Sequence, residues 1–283
     1  MTSILTNNGA MVALQTLQSV NNNLTDAQNE ISTGKRVGEA SDNAAVWAIS
    51  KTMESDIAGF NAISESLHVG EATVAVASAG AEQIVEKLTE IKELIVSAQS
   101  ENVDHAKIQN DIEKKAEQID SIISAAQFNG ANLLAADIDG TGATQLGVLA
   151  SLDRVGATGT PTPTEIDIDT VDFQTTIDVN SGGLTDITNS TSAATALGEI
   201  DAFLTLAIDG AAQLGADTKR LKDQGDFVSK LTDSMKMGVS SMTDTNMEEA
   251  SARLKALQTQ QQLAVQSLSI ANGAPESIMQ LFR

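Results

Sequence analysis

Apolar residues near both ends of this chain recur at alternating steps of three and four. Ala10, Ala13, Leu17, Val20, Leu24, Ala27 and Ile31 form one series. Met247, Ala250, Leu254, Leu257, Gln261, Ala264, Leu268 and Ala271 form another. Such spacing runs a stripe along a helix and winds it against a partner helix. The last helix carries a second stripe of the same kind: Leu263, Ser267, Ile270, Ala274, Ser277 and Leu281. One stripe suffices for an intramolecular pair, and two imply neighbours on two sides. A helix buried in a single-chain bundle has the same periodicity.

The pattern continues inward. A first helical block over about residues 2–32 ends at Thr33-Gly34, and Ser41-Asp42 offers an N-cap for the next helix. There Ile63, Leu67, Gly70, Val74, Ala77, Ala81, Ile84, Leu88, Ile91, Ile95 and Ala98 keep three-four spacing to about Gln99. At 1.5 Å per residue that helix is on the order of 80 Å long. After a polar break at 100–104, Ile108, Ile112, Ile119, Ile122 and Ala126 mark a third helix whose stripe Lys115 interrupts. Asn-Gly turn chemistry at Phe128-Asn129-Gly130 closes it. Helix resumes near Thr191 with Ala196, Ile200, Phe203, Ala207, Gly210, Leu214, Asp217, Leu221, Gln224, Val228, Leu231 and Met235, imperfect at Gly210 and Asp217. A turn at 242–245 precedes the last helix, with Asp244 or Thr245 as cap and Glu248 as capping-box partner of the latter.

Between 133 and 190 the period changes to two. Ile166/Ile168, Val171/Phe173 and Ile177/Val179 alternate among Gly, Thr and Pro, which predicts short strands and hairpins. Eight aspartates and one glutamate face the single Arg154 there, so this is the predicted solvent-facing part. The fold class expected is mainly α: a long antiparallel helical, coiled-coil rod from both chain ends with a short β-rich central insert. Five segments follow: an N-terminal helix and linker (1–40), long helices (41–135), the insert (136–190), a returning helix (191–242) and a C-terminal helix (243–283).

Composition narrows the function. A net charge of −21 with no basic patch argues against a nucleic-acid partner. Without cysteine there is no disulfide framework or thiolate metal site. His68 and His105 stand far apart and read as surface histidines, and HExxH, GxSxG and P-loop patterns do not occur. No catalytic, cofactor or metal residue is assigned, and the chain is not expected to be an enzyme. Aromatics at 2% suit many small aliphatic contacts along seams rather than a globular core. No apolar run approaches the length needed to cross a bilayer, so no membrane insertion is expected. The N-terminal residues lack the features of a cleavable secretory signal.

At this point particular stretches resemble bacterial flagellins. Ile31-Ser32-Thr33-Gly34-Lys35-Arg36-Val37-Gly38-Glu39-Ala40-Ser41-Asp42-Asn43-Ala44-Ala45 is similar to the family's "Ser-Gly-x-Arg-Ile" linker followed by an "Asp-Asp-Ala-Ala-Gly" helix start. Phe128-Asn129-Gly130 resembles the family's close to the third helix. The stretches from Met247 and from Ile270 to Arg283 resemble the flagellin C-terminus. These matches cover about the first 135 and last 90 residues.

The resemblance implies a structural subunit of the flagellar filament, exported unfolded, secreted without a cleavable signal and self-assembling for swimming motility. Implied partners are other copies, the export apparatus, an export chaperone, and hook-associated and cap proteins. The terminal helices would form an inner coiled-coil tube. Ala13, Leu17, Val20, Leu24, Ile31, Leu254, Leu257, Leu263, Ala264, Leu268, Ile270 and Leu281 would be its assembly seam.

A further inherited segment is the "Leu-Gln-Arg-Val-Arg-Glu-Leu" stretch that an innate immune receptor reads in many flagellins. Here Leu88, Glu90, Ile91, Glu93 and Leu94 occupy it, and Glu90 replaces the family's arginine, which implies weakened recognition. The insert's Ser/Thr density allows the O-linked glycans frequent in the family. Asn23-Leu24-Thr25 and Asn189-Ser190-Thr191 match the N-glycosylation pattern at the level of chance. The protease site of some flagellin inserts is excluded, since no histidine occurs between 137 and 190. The rival readings are a hook–filament junction protein and, from another class, a soluble coiled-coil adaptor.

Overall fold

The computed structural model describes residues 7–154, 159–180 and 182–281, with side chains described up to 273. Six helices and two strands follow in the order α1 (Asn8–Thr33), α2 (Ala44–Ser97), α3 (His105–Ala125), β1 (Gln145–Asp153), β2 (Thr162–Asp169), α4 (Phe173–Thr176), α5 (Ser190–Thr243) and α6 (Met247–Leu281). They form two compact units, 1–57 with 234–283, and 58–233.

In the second unit the heptad residues of α2 do what their spacing predicts. Every one from Ile63 to Ala98 is buried. Each fully buried Leu or Ile contributes about 1.5–3 kcal/mol relative to exposure, so this stripe supplies much of the unit's cohesion. In α3, Ile112, Ala116, Ile119 and Ile123 are buried. In α5 the same holds for Ile200, Ala207, Leu214, Leu221 and Val228. The apolar content of α5 is high enough, by length and composition alone, to pass for a membrane span. Only 22% of that apolar stretch is buried, and Leu206 and Ile208 of α5 are 46% and 48% exposed.

The interruptions of the stripes are docking points. Lys115 pairs with Glu90, tying α3 to α2 where an apolar residue was missing. Gly70 lies under Val148, whose Cγ2 is 2.7 Å from where a Cβ would stand. Gly59 lies likewise under Leu152 and Gly210 under Val171 and Phe173. Gln224 Nε2 donates to the carbonyl of Ala150 at 2.9 Å. Lys92 Nζ reaches Asp201 Oδ1 at 2.7 Å to join α2 and α5. His105, expected on the surface, is half-buried with Nε2 2.9 Å from Ala98 O at the end of α2.

Among the described residues the β-sheet content is one antiparallel ribbon, β1 with β2, rather than several hairpins. Ile166 and Ile168 alternate inward on β2 as expected, both buried. A register shift between Leu149 and Ser151 accompanies the Ala150 carbonyl's bond to Gln224. Val171/Phe173 and Ile177/Val179 are not strands. Asp172 accepts from the Thr175 amide at 2.9 Å and caps the short helix α4. The amides of Val171 and Phe173 donate to Leu133 and Leu134 carbonyls at 2.8 and 3.0 Å. Capping chemistry overrides the alternation, and Val171, Phe173 and Ile177 all still reach the core. Phe128 and Ala131 exchange bonds of 2.9 and 3.0 Å around Asn129 and Gly130, both at positive φ, as the Asn-Gly turn requires.

The starts of α2, α5 and α6 shift by a residue or two from expectation, and α1 begins at Asn8 behind an Asn7 cap rather than near residue 2. Asn43 caps α2 through Oδ1 to the Val46 amide, while Asp42 turns back to the Gly38 and Glu39 amides and holds the linker. Asn246, not Asp244 or Thr245, caps α6, accepting from the Glu248 amide at 3.1 Å. Asn189 caps α5.

Candidate assembly surface

The first unit contains both terminal helices. Asn7 Nδ2 donates to Ala271 O at 2.7 Å, Gln261 Nε2 to Asn21 Oδ1 at 2.7 Å, and Arg253 lies 3.9 Å from Glu30. Residue numbers rise along α1 as they fall along α6, so the pair is antiparallel. Asn21 explains why a glutamine is tolerated at position 261 of the stripe: the seam carries a satisfied polar pair there.

At the open end of this pair α1 stops at Gly34, whose φ of +70° is costly for any residue with a Cβ. The two linkers then bond across. Arg36 and Val37 amides both donate to Thr243 O, at 2.7 and 3.2 Å, and the Thr245 amide donates to Gly34 O at 3.0 Å. Arg36 Nη2 adds a bond to Met242 O at 3.0 Å. Each linker by itself has the sequence of a separate connection; only the meeting of distant segments reveals the clasp.

The structure divides the predicted seam residues in two. Ala13, Leu17, Val20, Leu24 and Ile31 line one face of α1, and Leu254, Leu257, Ala264 and Leu268 one face of α6, all buried or half-buried. Val20 and Leu257 are 9% and 8% exposed. These nine belong to the intramolecular pair. Leu263 and Ile270 of the second α6 stripe are 64% and 68% exposed. The side chain of Leu281 lies outside the described residues. Sequence reasoning missed Met11, Val12 and Leu14, exposed apolar residues of α1 off the seam. Their signal was present in the sequence: apolar residues between the seam positions of a helix whose other outward residues are polar.

The receptor-like segment belongs to the second unit. Leu88 and Ile91 are fully buried, Leu94 and Glu90 half-buried, and Glu93 exposed. Glu90 accepts from Lys115 and, at 2.7 Å, from Lys87. Those hydrogen bonds, Lys115's first, hold its carboxyl below the usual range. Burial instead pushes the Asp217 carboxyl up, against the nearby charge of Arg220 and with that of Asp169. Among the described residues no cluster of His, Asp or Glu is arranged to hold a metal ion.

Two family models match the chain: the bacterial flagellin N-terminal helical region over residues 4–138, and the C-terminal helical region over residues 187–282. The stretch between them carries β1, β2 and α4. A flagellin of Brucella melitensis biotype 1 is 40% identical over 286 aligned residues, covering 100% of both chains. Flagellin C of Rhizobium meliloti is 37% identical over the full length of each, and flagellin FljM of Caulobacter vibrioides 37% identical over 99% of this chain and 98% of its own. With models matching at both ends and full-length relatives at this identity, the chain belongs to the bacterial flagellin family.

Proposed function

We infer that this chain is a structural subunit of the bacterial flagellar filament, which self-assembles through its terminal helices. The observation that carries the mechanism is the division of α6 into two stripes, one closed on α1 and one left open. A helix pair that satisfies itself needs only the first. Leu263 and Ile270, and on α1 Met11, Val12 and Leu14, are apolar surface that a neighbouring copy would cover. Burial of these five side chains would recur at every subunit added, which is how a modest contact becomes a long polymer.

In this reading residues 1–40 and 243–283 form the inner tube, 41–135 and 191–242 the next layer, and 136–190 faces the medium. The chain is then secreted and extracellular, structural rather than catalytic, and meets an export apparatus, chaperone, hook-associated and cap proteins on its way. Weakened reading by the innate receptor belongs to the same proposal: Glu90 has the reversed charge and is held by Lys87 and Lys115. Seeded growth of the purified chain, viewed by negative-stain microscopy, tests the assignment. Long filaments are the result expected. A chain that only caps seeds without elongating them is a junction protein.

A further inference from the structure

Charge is unevenly spread along this chain. Its two longest stretches without Asp, Glu, Lys or Arg are residues 1–25 and 256–275, in a sequence of net charge −21. On the face of α1 turned away from the closed seam stand Asn8, Met11, Gln15, Gln18 and Asn22, stepping by three and four and all exposed. On α6, Thr259, Gln262, Gln266, Ser269 and Gly273 step the same way and are exposed too. At 1.5 Å per residue each row runs about 21 Å, so the two match in length. A helix face that stays in water is better served by Glu and Lys, which favour the helix more than Asn does. The outward face of α3, with Lys107, Lys114 and Glu117, is built that way. Neutral amides cost far less than charges to take out of water, provided each finds a partner. The terminal pair already shows such partners: Gln261 Nε2 donates to Asn21 Oδ1 and Asn7 Nδ2 to Ala271 O, both at 2.7 Å. Among the described residues, Asn8, Gln15, Gln18, Asn22, Gln262 and Gln266 make no side-chain hydrogen bond within the chain.

We propose that the outward amide row of α1 docks on the outward polar row of α6 in a second copy, an inference that rests on the self-assembly reading above. A second copy is the occupant because every chain carries both rows, uncharged and of matching length. Two molecules of net charge −21 repel, and these rows are where they approach at least electrostatic cost. Each Asn or Gln amide offers both donor and acceptor, so its NH2 group donates to the facing row while its oxygen accepts from it. Directional pairs of this kind set register and partner. The exposed Leu263 and Ile270 beside the α6 row supply the apolar area.

The test uses the full-length chain in seeded growth, read as the concentration of chain left unassembled at plateau. Gln15→Glu/Gln18→Glu should raise that concentration about a hundredfold or more, because unpaired charges would be buried, and so should Gln262→Lys/Gln266→Lys. Circular dichroism of the free variants should match the parent, all four positions being exposed. Combining the four substitutions gives each copy one acidic and one basic row, and the plateau should return to within about tenfold of the parent. Gln15→Ala/Gln18→Ala, which favours the helix and adds no charge, should raise it about tenfold by leaving the facing amides unpaired. Parental growth of the Glu, Lys or Ala pair overturns the proposal, since that row then faces solvent. Loss in both charged pairs without recovery on combination overturns it as well, since the two rows then meet other surfaces. A parent chain that never elongates seeds refutes the filament assignment, and the pairing with it.

Discussion

Replacing Gly210 by alanine sets two effects against each other. In a helix interior alanine is favoured over glycine by about 1 kcal/mol. At this position, however, a Cβ would stand 2.4 Å from Val171 Cγ1, 2.6 Å from Phe173 Cζ and 2.8 Å from Phe173 Cε1. Phe173 is 1% exposed and has little room to turn aside. Overpacking costs about 1–3 kcal/mol, and a clash with two packed side chains belongs in the upper half of that range. After the propensity gain, a net loss of about 1–2 kcal/mol remains. The same substitution at Gly215 or Gly225 in the same helix meets nothing within 4 Å. There only the gain of about 1 kcal/mol survives. Thermal unfolding followed by far-ultraviolet circular dichroism should therefore move in opposite directions, down for Gly210→Ala and up for the other two, by about 2–4 °C per kcal/mol. A Gly210→Ala chain that melts above the parent would refute the claim that the residues after β2 are seated on α5 at this glycine.

Four further outcomes attach to particular side chains. Glu90→Arg places a third cation beside Lys87 and Lys115 and should lower the melting temperature, with Lys115→Glu in the same chain restoring it; no recovery in the double variant would refute the pairing. The carboxyl of Glu90 is held below its ordinary value of 4.5, so its contribution is present above that pH and lost as pH falls through the lowered folded value. The Glu90→Gln deficit should shrink correspondingly on acidification. Asp217 shows the opposite sign: burial raises its folded value above 3.8, so the charged form is penalised at neutral pH. Asp217→Asn should stabilise the chain at pH 7, and that gain should vanish as pH falls below the unfolded value; a neutral-pH loss would contradict it. Finally, Leu263→Asp with Ile270→Asp should leave the helical content and melting of the free chain unchanged, both sites being exposed, yet abolish seeded elongation.

What the sequence made legible was periodicity. The α2 stripe from Ile63 to Ala98 and the antiparallel stripes of α1 and α6 are in place, except that Met247 at the start of the α6 series is exposed. Flaws in the stripes were visible too, but not their causes. Lys115, Gly70, Gly210 and Gln224 break a local rule to receive a group from elsewhere: Glu90, Val148, the Val171–Phe173 pair, and the Ala150 carbonyl. Such partners are separated in sequence, so no local pattern names them. The insert misled for a related reason. Alternation at Val171/Phe173 fits a strand, but Asp172 supplies a helix cap and the backbone finds its bonds at Leu133 and Leu134 instead. For the assembly surface, the two stripes of α6 could be read, while the assignment of one to α1 and the other to open surface required three dimensions.

On the proposed self-assembly, the open stripe of α6, not the one closed on α1, joins copies. A helical reconstruction of filaments grown from the purified chain tests it most directly. Leu263, Ile270, Met11 and Leu14 should lose their exposure to a neighbouring subunit, while Val20, Ala27 and Leu257 keep the intramolecular partners they have here. Filaments in which Leu263 and Ile270 remain open to solvent, or in which α1 and α6 exchange partners between copies, would contradict it.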